Sequence, residues 1–173
     1  LYIKNMVCNR CIMVVTSELQ KLGITPLQVG LGEVTLPEPL TDEEKGRVST
    51  TLEALGFSLI DNKRARLIEQ VKTLIIELVH YNDNELKVNL SDYLSGKLNH
   101  DYNYISNLFS EVEGSSIEKY FIAQKIERVK ELLVYDEMSL NEIAYRLNYS
   151  SVAHLSAQFK KVTGLTPSHF RQI

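Results

Sequence analysis

Two cysteines, Cys8 and Cys11, are the residues in this 173-residue chain best suited to chemistry. Cys-x-x-Cys spacing on a loop entering a helix sets both thiols at a helix N-terminus, where the local dipoles favour thiolate. Two such thiolates can hold a soft ion such as Cu(I) in two-coordinate fashion. Zn(II) would need two further ligands, and none is evident nearby. His80, His100 and His169 show no ligand spacing with each other or with the cysteines. Three uses of the pair compete. It could be a soft-metal sensor or metal-receiving site, a site inherited with its fold in a domain now serving dimerisation or another signal, or a thiol–disulfide switch. There is no Gly-rich phosphate loop, no arguable Ser/His/Asp arrangement and no paired carboxylates in a plausible pocket, so no enzyme is expected.

The second candidate lies near the end of the chain, from Met138 to Arg171. Ser139 and Glu142 have capping-box spacing, and Leu140, Ile143, Ala144 and Leu147 then recur at helical intervals. Asn148-Tyr149-Ser150-Ser151 interrupts that pattern with turn-prone residues, and Ser150 or Ser151 can cap the next helix. Val152, Leu155, Ser156 and Phe159 continue to Lys160-Lys161, Gly164 ends the helix and Pro167 blocks its resumption. A short helix, a tight turn and a second short helix make a helix-turn-helix unit, whose second helix can lie in a major groove.

These residues resemble the C-terminal signature of the AraC/XylS family of bacterial transcription regulators. The resemblance is carried by Ile143-Ala144, Asn148-Tyr149, Ser150, Leu155-Ser156, Phe159-Lys160-Lys161, Gly164, Thr166-Pro167 and Phe170-Arg171. Asn148-Tyr149 replaces the family's usual Gly-Phe, and Leu155-Ser156-Ala157 lacks an arginine that commonly meets DNA. An earlier stretch repeats the unit at a separation of about fifty residues. Its helices are expected over Val88 to Leu98 and Tyr102 to Phe109, with Tyr104 and Tyr149 assigned to the core. Gly114, Ser116-Ile117, Tyr120-Phe121 and Lys125-Ile126 echo Gly164, Thr166-Pro167 and Phe170. A long helix from about Ser116 to Tyr135 joins the two units.

By this resemblance, Asp101, Tyr102, Asn103, Ser106 and Asn107 are the exposed positions of the first recognition helix. Ser151, Val152, Ala153, His154, Ala157, Gln158 and Lys161 are those of the second. Asn103 and Asn107 can read adenine, and Val152 or Ala153 can touch thymine methyls. Lys160, Lys161 and Arg171 suit phosphate. With no arginine in the set, the expected site is richer in A·T than in G·C. The plain alternative is that these are solvated helix faces.

Charge agrees in part. Net charge is −3, which argues weakly against a nucleic-acid binder. Residues 1–62 hold 5 Lys+Arg against 8 Asp+Glu, and residues 63–173 hold 14 against 14. Residues 138–173 hold four basic residues against Glu142 alone, a net of +3. Modest, salt-sensitive affinity is expected.

The first sixty residues read differently. Leu1 to Met6 alternates as a strand, and Cys11 to Leu22 is helical. Leu27–Gly32 and Glu33–Leu36 are strands, Thr41 caps a helix that runs to Leu55, and Phe57–Ile60 is a last strand. The order β-α-β-β-α-β is the ferredoxin-like arrangement. With Met6-x-Cys8-x-x-Cys11 and Gly56-Phe57, it resembles the heavy-metal-associated domain of copper chaperones and metal-pumping ATPases. That family's usual Gly before Met is Asn5 here. Arg64 to about Tyr81 is a helix with a broad apolar stripe.

The expected fold is therefore α+β: a ferredoxin-like heavy-metal-associated-like domain over 1–62, then an all-α AraC-type domain over 63–173. Its helix-turn-helix units fall at about 88–110 and 139–161. The expected function is sequence-specific DNA binding in transcription regulation, with Cu(I) or thiol state at Cys8 and Cys11 as the candidate signal. A metal-trafficking protein whose helical half serves protein contacts is the alternative. Double-stranded DNA is the expected partner, a second copy of the chain and a metal ion are further candidates, and no membrane partner is expected. The short apolar runs, the absence of a signal-like start and the thiol pair point to a cytoplasmic setting.

Overall fold

A computed structural model describes residues 1–60, 62–81, 89–135 and 137–172. Val88, the expected start of the first helix pair, Asp61, between the last expected strand and the helix from Arg64, and the terminal Ile173 lie outside the described residues. The chain divides into two compact units, Leu1–Thr73 and Leu74–Ile173.

The first unit is mixed α/β, in the order β1 (Ile3–Lys4), α1 (Asn9–Lys21), β2 (Gln28–Val29), β3 (Val34–Thr35), α2 (Asp42–Glu53) and β4 (Ser58–Leu59). The strands pair as two antiparallel ladders. In one, Ile3 lies opposite Leu59 and Lys4 opposite Ser58; in the other, Gln28 lies opposite Thr35 and Val29 opposite Val34. A single antiparallel bridge between Tyr2 and Glu33 meets both. The ladders are shorter than the apolar alternation predicts. β1 stops where Asn5 takes φ 76, a left-handed conformation that leaves the strand path and that Asn tolerates better than most residues. Its side-chain amide donates to the Gly56 carbonyl at 3.0 Å.

Alternate residues on the strands and every third or fourth residue on the helices supply the core: Ile3, Val15, Leu19, Val34, Val48 and Leu52, with Met6 and Phe57 at its edge. The capping box that opens α2 is formed: Thr41 Oγ1 accepts from the Glu44 amide, and the Glu44 carboxylate accepts from the Thr41 amide. α3 (Lys63–Ile76) begins in this unit, where the Arg66 guanidinium lies 4.4 Å from the Tyr2 ring centroid. It runs on as a wider π turn, Glu77–Tyr81, that the helical periodicity does not announce.

The second unit is helical: α4 (Leu90–Leu98), α5 (Tyr102–Glu113), α6 (Ile117–Tyr135), α7 (Leu140–Arg146), α8 (Val152–Thr163) and α9 (Pro167–Arg171). Its local signals recur in pairs. Asn89 and Ser139 cap α4 and α7, and Asp101 and Ser151 cap α5 and α8. Asn99 and Asn148, at φ 54 and 58, turn the chain between the helices of each pair. Gly114 and Gly164, at φ 74 and 82, close α5 and α8, a conformation costly for a residue with a Cβ. Ser116 and Thr166 each accept an amide hydrogen bond at 3.2 Å at the start of the next helix. Even the aromatic clamp repeats: Phe109 meets Tyr120 at 5.8 Å, and Phe159 meets Phe170 at 5.5 Å. Ile126, Val129 and Leu133 of α6 pack with Ile143, Leu147, Leu155 and Phe159 in one buried cluster.

Candidate nucleic-acid interface and thiol pair

α8 presents its exposed face because Leu155 and Phe159, four residues apart, are fully buried. Ala153, His154, Ala157, Lys160 and Lys161 are exposed on it, and Val152 and Gln158 are half-buried. Ser151 accepts the His154 amide at 3.0 Å, which fixes the first turn. Ser150 Oγ lies 3.1 Å from His154 Nδ1, and the imidazole stands edge-on to Tyr149 at 5.2 Å.

Tyr149 lies beneath this surface. Its hydroxyl donates to Gln158 Oε1 at 2.7 Å, so it holds one side chain of α8 from the turn before it. Burial pushes the Tyr149 phenol up, which keeps it a donor. The Lys125 ammonium lies 4.0 Å from the centroid of the Tyr149 ring and 5.3 Å from that of Phe121. Burial lowers the Lys125 pKa to about 8, because the charged form has lost water and gained only ring faces. Lys125 was not among the sequence candidates. The signal was present: it lies four residues before Val129 and seven before Leu132, on the core face of α6.

α5 is built alike but carries different groups. Asn103 and Asn107 are exposed, and Tyr102 and Ser106 are half-buried. Asp101 accepts the Asn103 amide at 2.7 Å. The Tyr102 hydroxyl donates to the Glu118 carboxylate; burial and that carboxylate raise the phenol to about 12. Tyr104, assigned to the core from helical spacing, is instead half exposed and stacks on His100 at 5.5 Å. Ile105, Leu108 and Phe109 suffice to fill the inward face, leaving Tyr104 outside it. Arg171 directs one guanidinium nitrogen to the Met138 carbonyl at 2.7 Å, tying α9 to the entry of α7.

The thiols come together at the start of α1. Cys8 is its N-cap residue, and Cys8 Sγ lies 3.6 Å from Cys11 Sγ. A backbone hydrogen bond from Cys11 is the largest cause lowering the Cys8 pKa, partly opposed by burial. Met6 is buried behind the loop, while Val7 and Met13 are exposed beside it. Among the described residues, no group of three or more His, Cys, Asp and Glu gathers as a metal site. Among them also, no helix is long and apolar enough to cross a membrane.

Residues 94–173 match the profile of a helix-turn-helix domain family. An uncharacterised helix-turn-helix-type transcriptional regulator, YtdP of Bacillus subtilis, is 28% identical over 115 residues, covering 66% of this chain and 15% of the relative. The C-terminal domain of the two-component response regulator yesN from Fusobacterium nucleatum is 27% identical with a TM-score of 0.51, over 59% of this chain and 98% of that one. The DNA-binding domain of AdpA, solved with a target DNA, shares the fold at 19% identity and a TM-score of 0.50, over 65% of this chain and 92% of that one. The chain thus spans a small part of the length of the regulator YtdP. Its C-terminal region is similar to helix-turn-helix domains of transcriptional regulators. The relatives named here are regulators.

Proposed function

We propose that the chain is part of a transcription regulator of the AraC/XylS type, and that its second unit binds double-stranded DNA sequence-specifically. One observation carries the reading: the same helix-turn-helix, glycine and aromatic clamp occur twice within one compact unit, bridged by α6. Two recognition helices so arranged suit major-groove segments about one helical turn apart. Asn103 and Asn107 offer the donor and acceptor that adenine requires, Val152 and Ala153 offer apolar contact to thymine, and Lys160 and Lys161 offer charge to phosphate. Ser106, His154, Ala157 and Gln158 complete the surface. The AdpA domain, solved on DNA, supports the choice of partner. Selection from a randomised duplex pool tests the reading. One enriched motif, richer in A·T at contacted positions, is expected; equal retention of all sequences overturns it.

The first unit we read as a ferredoxin-like signal-receiving domain, with a boundary near residue 62. Its strands fall in the order β4-β1-β3-β2 when the Tyr2–Glu33 bridge is counted. Cys8 and Cys11 fit a soft ion held by two thiolates: they face each other at 3.6 Å, and the first is already acidified. An ion there would cross-link the loop to α1. One Cu(I) per chain is expected, lost in Cys8→Ser/Cys11→Ser. DNA affinity unaltered by Cu(I) would remove the regulatory part of this reading. The rival is a metal-trafficking protein with a helical half for protein contacts; it binds Cu(I) and enriches no DNA motif.

A further inference from the structure

We infer that the two helix-turn-helix units engage a duplex unequally: the second anchors the chain on the phosphates, and the first binds weakly and depends on it. This rests on the DNA-binding reading above. Gly114 and Gly164 set a common register, confirmed by the Phe109–Tyr120 and Phe159–Phe170 clamps. In that register the two units share a backbone plan and carry opposite charge. Residues 89–123 hold Asp92, Asp101, Glu111, Glu113 and Glu118 against Lys97 and Lys119, a net of −3. Residues 139–173 hold Glu142 against Arg146, Lys160, Lys161 and Arg171, a net of +3.

The reversal falls on the recognition helices themselves. Ser110-Glu111-Val112-Glu113 ends α5, where Lys160-Lys161-Val162-Thr163 ends α8. At a helix C-terminus the lysines act with the peptide dipoles and the glutamates against them. At the other end of α5, Asp101 is the N-cap and Glu118 accepts from Tyr102; the matching positions at α8 are Ser151 and Ser168. A groove-bound α5 therefore brings carboxylates toward phosphates from both ends. α8 meets the same backbone with hydroxyls, an imidazole and two ammonium groups. The Tyr102 hydroxyl is also already donated to Glu118, so it is not available to a phosphate oxygen.

The test uses the whole chain and duplexes from a randomised pool. Phosphate-ethylation interference on a selected duplex is expected to be strong around one major-groove segment and weak one helical turn away. On a random-sequence 30-base-pair duplex, Lys160→Ala/Lys161→Ala should weaken binding by roughly tenfold or more and lower the salt slope by about two. Glu111→Lys/Glu113→Thr, which copies the second unit into the first, should tighten binding several-fold and steepen the slope by about one. Equal interference on two successive segments, or no gain from the glutamate replacements, overturns the inference. Retention of no duplex at low salt overturns the DNA reading itself, and this inference with it.

Discussion

The hydroxyl of Tyr149 and the amide of Gln158 are joined by a 2.7 Å hydrogen bond. The bond links the turn between α7 and α8 to α8 itself, and the buried Lys125 ammonium lies 4.0 Å from the centroid of the tyrosine ring. The reach of one polar side chain of α8 is thus set by the interior rather than by that helix's exposed face.

Removing the hydroxyl alone isolates that bond. Tyr149→Phe should keep the ring contacts and lose about 1 kcal/mol of stability. Tyr149→Ala should lose about 3 kcal/mol or more, because it also opens a cavity beside Leu147 and Leu155. Denaturant unfolding followed by circular dichroism measures both. Equal losses in the two variants would mean the ring contributes nothing.

Lys125 gives a pH dependence with a definite sign. Its pKa is lowered by burial to about 8 from a usual 10.5. Between those values the unfolded chain binds more protons than the folded one, so this group makes stability rise with pH over that window. Below about 8 both states are charged and the burial cost is fully present; above 10.5 both are neutral and it is gone. The gain is at most about 3 kcal/mol. Lys125→Met should therefore be more stable than the wild type at neutral pH, with the difference narrowing as pH rises. A difference constant from pH 7 to 10.5 would rule this out.

The Cys8 thiol is acidified, chiefly by a backbone hydrogen bond from Cys11. Iodoacetamide should label Cys8 with a pH midpoint below the usual thiol value of 9.0 and label it before Cys11. Peptide mass spectrometry of a time course reads both. Labelling of Cys11 first would show that access, not acidity, governs the pair.

Asn148 holds φ 58 between α7 and α8. Asn148→Gly should be close to neutral, because glycine takes this conformation freely. Asn148→Ala should cost about 1 kcal/mol. Thermal unfolding midpoints of the two variants separate backbone strain from loss of the asparagine side chain.

Much of the second unit was legible because its signals are local. Ser139, Ser151, Thr166, Gly114 and Gly164 act within a few residues of themselves, so capping and turn chemistry place the helix ends without knowledge of the fold. The Asn99 and Asn148 turns follow from the same local rules. The first unit was legible in element order but not in extent. Alternation in Leu1–Met6 predicts a longer strand, and the left-handed Asn5, held by the Gly56 carbonyl across fifty residues of chain, cuts it short. Tyr104 and Lys125 were misplaced or overlooked for a shared reason. Periodicity ranks positions by phase and does not reveal which side chain finds room inside.

The sequence by itself determined the duplicated helix pairs, the thiol pair at a helix entrance and the charge reversal between the two units. All three are matters of residue type at fixed spacing. Only the tertiary structure decided that a lysine stands under Tyr149, that Tyr149 holds Gln158, and that Tyr102 is committed to Glu118. Those contacts join residues nine to twenty-four positions apart. Such pairs meet only when helices pack, and packing depends on the shape of the whole core rather than on any one stretch of chain.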